Sequence, residues 1–555
     1  MAVTSTELVP PSSSHLTART EGPSLELQLR AAPENVAGTQ LLGTDEEEPN
    51  LQPTAISISK AKGAVVIMSA SSMVFMNSIL SGMLTVGLPT IAKDIRIPEG
   101  LMLWPVSVYG LTCGCTLLLS GSIADVIGSR KVFLTGCFLL SAFTLGCGLA
   151  KTAIQLIMFR AISGIAMSLC LPSAVSIITT AFPTGKRRNI AFACLGAAQP
   201  VGFSVGVALG GVLVDTIGWR YGYYLFTGIN ALFFLTAIWG VPADTRKTGQ
   251  STWKRLTYEI DWIGTVLISA SLGLFSYTFA IMSAGPKSIV TPTNLALLIL
   301  AVLLLPLFIF WINHREKANK PTLIPPSLFH STPTHPHRTR NFSALCVSIF
   351  LTWAVFNAYQ YFTTLYFQRL QHLSPLETSA RFAPMIVAGA LTNIATGLVV
   401  NRVPADILCV CAASASAIAP LLMAVARPGW SYWAAAFVAT ALIPVSADTL
   451  FTVANLVVTG IFPKKTHGLA GGVFNTLAQI GMAVGLAVMG VVSGAVSGTG
   501  DGSASEGNEG GAEYELALLK GYQATYWTSF AASVVIVALS WWGLKSIGKV
   551  GVKRD

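Results

Sequence analysis

Fourteen stretches of roughly 20 apolar residues, strung along a single chain, leave few folds open to it. The hydrocarbon core of a bilayer is about 30 Å thick and takes about 20 residues of helix to cross. Backbone polar groups find no water there, so only helices or closed barrels can span it. The runs fall at 64–88, 101–121, 132–150, 153–178, 190–214, 221–241 and 262–284, then at 293–313, 343–365, 381–400, 405–426, 431–459, 469–495 and 524–544. Charged residues make up 11% of the chain, against about a quarter in soluble domains. An all-α polytopic membrane protein is expected.

The formal charge of +10 invites a nucleic-acid reading, but the distribution of the bases opposes it. With the N-terminus on the cytoplasmic side, one set of connections holds Lys60, Lys62, Arg130, Lys131, Arg187, Arg188, Arg246, Lys247, Arg315, Arg338, Arg340, Lys464, Lys465 and Lys545. The other set holds far fewer, among them Lys93, Arg96, Lys151, Arg220, Arg369 and Lys520. This asymmetry is the positive-inside pattern and predicts both termini in the cytoplasm. The cell membrane is the expected host, with a vacuolar membrane as the alternative.

Residues 1–60 are rich in Ser, Pro, Thr and Glu, end in "GTDEEEPN", and read as a disordered cytoplasmic tail with no signal peptide. The connection "SGTGDGSASEGNEGGAEYE" reads as a flexible outer loop. All nine cysteines fall inside apolar runs, including the pairs Cys113/Cys115 and Cys409/Cys411, and are expected to act as small hydrophobes rather than metal ligands. The sequon Asn341-Phe-Ser lies on the inner side, so no glycosylation is expected. Trp527, Trp541 and Trp542 read as interfacial anchors.

An internal repeat is visible. "GSIAD" at 121–125 follows the second run and "GLVVNR" at 397–402 the tenth, each placing Gly four residues before Asp or Asn. The fifth run carries Gly202, Gly206 and Gly210, with Gly211 beside them, and the thirteenth carries Gly481 and Gly485. Four-residue spacing puts small residues on one helix face, where two backbones can approach closely. The expected organisation is a tail (1–60), a first six-helix half (61–241), two extra central spans with linkers (242–342), a second six-helix half (343–545) and a short tail (546–555). Parallel halves around a midplane site describe one major group of secondary transporters.

The polar stretch "GSIADVIGSRK" at 121–131, wedged between two apolar runs, resembles the cytoplasmic signature loop of the major facilitator superfamily, matching at Gly121, Asp125, Gly128, Arg130 and Lys131. Val126 and Ser129 stand where that pattern usually has bases. "LIMFRAISGIAMS" is similar to the superfamily's second motif at Arg160 and Gly164, and "GFSVGVALGG" to its antiporter motif, with Val207 in place of a proline. "LPTIAKDI", "WRYGYYLF", "EIDWIG", "KPTLIPPSLF" and "LYFQRLQHLSPLETSARFAP" resemble the fourteen-span drug:proton antiporters. "LPTIAKDIRIP", "WPVSVYGLT" and "FPTGKRRNIAFACLGAAQPVGF" resemble the fungal branch with aminotriazole- and boron-resistance exporters. The resemblance runs from about residue 64 to 545. It implies a major facilitator fold and a loop that latches one conformational state. The other reading of that loop is a turn whose bases set topology.

Polar residues at depth in a membrane are expensive and mark function. Arg160 lies about 10 Å into the fourth span at 1.5 Å per residue. The resemblance implies a part in proton transfer, and a tie to a backbone carbonyl is the structural alternative. Asp448, in "PVSADTLFTVAN", is the acid deep in the second-half spans: a proton carrier, or a hydrogen-bonded structural residue. Asp215, near Trp219 and Arg220, is expected in an interfacial ion pair. Candidates for a substrate cavity are Asn77, Trp104, Tyr109, Gln199, Asn357, Gln360, Tyr361, Asn455, Asn475 and Gln479, a neutral and aromatic set suited to a neutral or amphipathic molecule. Asn77 stands where many drug antiporters have an acid.

No G-x-x-x-x-G-K-[ST] run is present, so ATP is not the expected fuel. No metal, cofactor or catalytic triad is expected, and no enzyme activity. The expected function is export of a drug, toxin or secondary metabolite in exchange for protons by a monomer whose partners are substrate, protons and lipid. An uptake carrier or facilitator of the same fold, and a transporter-like receptor, are the alternatives.

Overall fold

A computed structural model of the chain describes residues 60–182, 186–243, 252–284, 291–329, 337–400, 402–461, 467–498, 511–545 and 547–548. Among these, fourteen helices are long and apolar enough to cross a membrane, and no strand occurs. They are α1 Lys60–Asp94, α2 Trp104–Ile127, α3 Ser129–Leu149, α4 Ala153–Ala181, α5 Lys186–Thr216, α6 Trp219–Gly240 and α7 Trp262–Ala284. Then come α8 Pro292–Lys317, α9 Arg338–Leu365, α10 Ala383–Val399, α11 Ala405–Val425, α12 Ala436–Ile461, α13 His467–Ser497 and α14 Ala512–Gly543. A π turn, Tyr366–Leu370, and a short helix, Pro375–Arg381, lie between α9 and α10, and the short helix and α10 together make the tenth span, Pro375–Val399. Most of the proposed tail at 1–60, most of the Gly-rich acidic connection, and Asn401 of the repeat fall outside the described residues.

The polar stretch at 121–131 is not a loop. Helix α2 continues through Ile127 and α3 begins at Ser129, leaving Gly128 as the whole connection. Its φ of 113° is a backbone region that side-chain-bearing residues rarely adopt. The hydrophobic run ends at about 121, but the helix does not, because helical hydrogen bonds persist wherever the residues tolerate them. In the same way α14 starts at Ala512, well before the apolar run at 524, so Trp527 stands inside the helix rather than at its end.

Close helix approach is marked on α5 and α13. A Cβ on Gly202 would lie 2.5 Å from the Phe75 carbonyl oxygen, on Gly206 2.6 Å from Ile79 Cα, and on Gly210 2.7 Å from Met83 Cα. Those three glycines seat α5 on α1. In the second half, a Cβ on Gly481 would lie 3.1 Å from the Phe350 carbonyl carbon, and on Gly485 2.5 Å from Ala354 Cα, seating α13 on α9. Gly121 differs from them. Its Cβ would stand 3.6 Å from Pro172 Cβ, an ordinary contact, so tight packing does not require glycine there.

The two extra helices form a hairpin held at its base by Asp261, a residue not singled out from the sequence except within "EIDWIG". The carboxylate is 3% exposed. Its Oδ1 accepts from Trp311 Nε1 at 2.9 Å and from Gly264 N at 3.0 Å, with Arg315 Nη1 at 3.9 Å. Asp261→Ala is expected to leave two buried donors without an acceptor, at about 1–3 kcal/mol each. Thermal unfolding of the solubilised protein should show a lower midpoint, partly recovered in Asp261→Asn, which keeps an acceptor oxygen.

Helix α7 packs against both α2 and α13, and α8 packs on α7. On the other flank α5 meets α10 and the short helix. The buried apolar residues fall into clusters with a clear bias. At the end remote from the α2–α3 turn, one cluster draws on both halves, from Met83 and Trp219 to Phe362 and Tyr526. At the end bearing that turn, here the basic end, the large clusters are separate, one built from α1–α6 and the other from α9–α14 and the segment after it.

Candidate functional site

At the basic end the signature residues divide. Arg130 Nη2 donates to the Ile238 carbonyl at 2.6 Å, tying the start of α3 to the end of α6, and Ser129 Oγ donates to Ser176 Oγ at 2.6 Å. Asp125 and Lys131 are exposed on the flanking turns.

Deeper in the first half, Arg160 is 4% exposed. Its Nε donates to the Pro105 carbonyl at 3.1 Å, and its guanidinium carbon lies 4.7 Å from the centre of the Tyr109 ring. A carbonyl and a ring face, rather than a carboxylate, therefore hold this buried cation. Gly164, one turn along α4, makes room for α2: a Cβ there would lie 3.2 Å from Cys113 N. Asn77 lies beside the Tyr109 hydroxyl.

Helix α13 crosses α2 next to this group. A Cβ on Gly110 would stand 3.1 Å from the Gln479 carbonyl oxygen and 3.8 Å from Met482 Cβ. Asn357 Nδ2 donates to the Met482 carbonyl at 3.1 Å, so α9 is drawn to the same crossing. Tyr109, with Asn77 and Arg160 beside it, thus stands next in sequence to the Gly110 crossing, to which Gln479 and the Asn357–Met482 bond bring the second half. Gln360 is 2% exposed on α9, close in sequence to Asn357.

Asp448 is half-buried between α12 and α10. A Cβ on Gly389 would come within 3.1 Å of its Oδ2, so glycine leaves the carboxyl its space. The Asn393 side chain, which donates to the Gly389 carbonyl at 3.1 Å, also faces Asp448. One turn earlier Pro444 interrupts α12, and Ser416 of α11 fills the break: its Oγ donates to the Leu442 carbonyl at 2.8 Å and accepts from Ser446 N at 2.8 Å. Hydroxyls from a neighbouring helix are a usual way to satisfy backbone freed by proline inside a membrane.

Other residues expected in the cavity stand apart from this group. Trp104 turns to the extra helix α7, with ring centres 6.3 Å from Tyr277. Asn455 is exposed, and its amide donates to the Phe451 carbonyl of its own helix. Asn475 likewise donates to the Gly471 carbonyl. Both sit toward the basic end, where four-residue back-bonding explains them without a ligand. Gln199 is half-buried beside Pro200. Tyr361 lines a cavity of about 90 Å³ at the opposite end, with Glu99, Arg369 and Tyr522. Asp215 does not pair with Arg220. Arg220 pairs with Asp94, which also accepts from Trp219 Nε1 at 3.0 Å, while Asp215 Oδ2 accepts from Leu376 N of the second half at 2.9 Å. Glu99, Arg369 and Asn393 were not legible as site residues; the first two are charges outside the apolar runs, and Arg369 reads from sequence as topology alone.

Comparison with known proteins matches residues 70–486 to the family model described as the Major Facilitator Superfamily. MFS-type transporter 1 of Pyricularia oryzae is 40% identical over 533 residues, covering 89% of this chain and 85% of the relative. The low affinity ammonium transporter of Saccharomyces cerevisiae is 26% identical, covering 82% and 84%, and efflux pump terJ of Aspergillus terreus 24%, covering 72% and 74%. Among solved structures, a bacterial homolog of the human lysosomal transporter Spinster, inward-facing and unoccupied, superposes with a TM-score of 0.56 at 16% identity, covering 88% of this chain and 99% of that one.

Proposed function

The chain belongs to the Major Facilitator Superfamily, and from that premise we propose that it is a secondary active efflux transporter exporting a small neutral or amphipathic molecule in exchange for protons. The observation that carries the proposal is Asp448: a carboxyl held at depth beside a neutral amide, in space kept open by Gly389. An acid in such a place is a natural site for a proton to bind and leave. The group near the α2–α13 crossing holds amides, a phenol ring and one cation, and once opened to solute such a set would favour molecules with little charge of their own. We place the basic end in the cytoplasm on the distribution of Lys and Arg, and the protein in the plasma membrane. The fungal drug:proton branch suggested by the signature sequences fits this reading, and a relative carries the name of an efflux pump.

The test is flux into inverted vesicles carrying the protein, with aminotriazole, boric acid and a neutral amphipathic dye offered with and without an imposed pH gradient. Gradient-driven accumulation of any of the three is the expected result. Equilibration indifferent to the gradient would sink the antiport reading. It would favour instead a facilitator or uptake carrier, to which Val207 and the uncharged Asn77 point.

A further inference from the structure

Helix α13 ends in "MGVVSGAVSG", which places Gly490, Ser493, Gly494 and Ser497 at i, i+3, i+4 and i+7. That spacing lays four small residues along one helix face. Against a flat neighbour such a face lets two helices close on each other. Here it meets the turn before α2, the end of α9 and α14, and a hollow is left: the cavity of about 90 Å³ that Glu99, Arg369, Tyr361 and Tyr522 also line. The helices around it are not loosely packed. A Cβ on Gly521 of α14 would stand 2.9 Å from the Ser493 carbonyl oxygen of α13.

The cavity has two unlike walls. One is apolar, made by Leu103, Phe362, Leu365 and Leu518. The centre of the Phe362 ring stands 5.2 Å from that of Tyr361 and 5.8 Å from that of Tyr522, so one ring seats both phenols. The other wall is polar, and its charges cancel. Arg369 Nη1 meets Glu99 Oε1 at 3.0 Å, and Tyr514 Oη donates to the same oxygen at 3.2 Å.

Two donors on that wall are poorly served. Arg369 Nη2 has only the Met102 thioether, Sδ at 3.1 Å, and a thioether is a weak acceptor. Tyr522 is 2% exposed, and its hydroxyl, beside the same guanidinium, forms no hydrogen bond. A buried donor without a good acceptor is costly. Two of them at one hollow mark a place for an oxygen atom.

We propose that this cavity is a second solute site, separate from the group near the α2–α13 crossing, and that it takes a small neutral molecule bearing an acceptor oxygen on a short apolar body. The proposal rests on the transport reading above and names the solute class at one station of the path. The oxygen accepts from Arg369 Nη2 and Tyr522 Oη, and the apolar body lies against Leu103, Leu365 and Leu518. Charge selects against ions of either sign, since a carboxylate meets Glu99 and an ammonium meets Arg369. Size selects as well. A cavity of ~150 Å³ holds benzene, so about 90 Å³ suits roughly four heavy atoms, the size of acetamide.

The test is saturation-transfer NMR on the full chain in lipid nanodiscs. Acetamide and its charged isostere acetate are titrated separately, with Tyr522→Phe and Arg369→Lys beside the parent. Acetamide should saturate with a Kd of about 1 mM, within reach of four heavy atoms, and acetate should bind at least about tenfold more weakly. Tyr522→Phe should weaken acetamide about fivefold, the worth of one hydrogen bond. The hydroxyl it removes has no partner in the protein, so a purely structural role predicts no loss. Arg369→Lys keeps a charge for Glu99 but lacks the second nitrogen, and should weaken acetamide by a similar factor. Acetamide binding unchanged in both variants, acetate binding as tight as acetamide, or no saturable acetamide binding would each overturn the site. The readout needs neither gradient nor flux. A protein that moves nothing in vesicles would sink the transport reading, while the cavity stands or falls on binding.

Discussion

Asp448→Asn should lower gradient-driven flux by at least 10²-fold, the lower end of what a positioned proton-transfer group contributes, while the protein still folds and still binds its solute. Asn is nearly isosteric with Asp and keeps an acceptor toward Asn393, so the space Gly389 leaves stays filled. What it lacks is a proton to exchange. The measurement is initial flux in inverted vesicles with and without the gradient, alongside binding to the purified variant. Equal loss of binding and flux would assign Asp448 a structural part. Unchanged gradient-driven flux would remove it from coupling altogether.

Gly206→Ala should have the largest effect on folding. Its new methyl would meet the Ile79 backbone, with Cα at 2.6 Å, and backbone cannot rotate away as a side-chain tip can. Overpacking costs about 1–3 kcal/mol, and the upper end applies where two helices must part along their length. A fluorescence-detected sizing profile should show most of the variant aggregated or lost. Gly121→Ala supplies the contrast. Its methyl meets Pro172 Cβ at 3.6 Å, so the Ala substitution should hold or gain stability by about 0.5–1 kcal/mol, the helix preference of Ala over Gly. If both variants behave alike, close approach of α1 and α5 is not what Gly206 provides.

Apolar length revealed the helices because the bilayer imposes it directly: the run at 262–284 coincides with α7 residue for residue. The glycine ladders were legible for a similar reason, since four-residue spacing fixes a face whatever lies opposite. Azimuth was harder to read. Lipid and protein interior are both apolar, so a membrane helix lacks the polar–apolar contrast that orients a soluble one. Sequence alone offers Trp104 as a cavity residue without showing that it stands against Tyr277. It expects Asp215 in an interfacial ion pair near Trp219 and Arg220, though the partner is the Leu376 amide, far along the chain. The candidate site was legible as depth, in Arg160 and Asp448, and not as assembly.

The halves repeat, but α7 does not. It lies along one edge of the seam, against α2 and α13 together, and among the described residues no extra span lies along the opposite edge, between α5 and α10. The bundle therefore has a front and a back in the plane of the bilayer. A solute dissolved in the lipid meets two different shorelines, one built two helices deep and one a single helix deep. Any rocking of the halves must slide past α7 on one side, while on the other it must break the contacts of the short helix with α5.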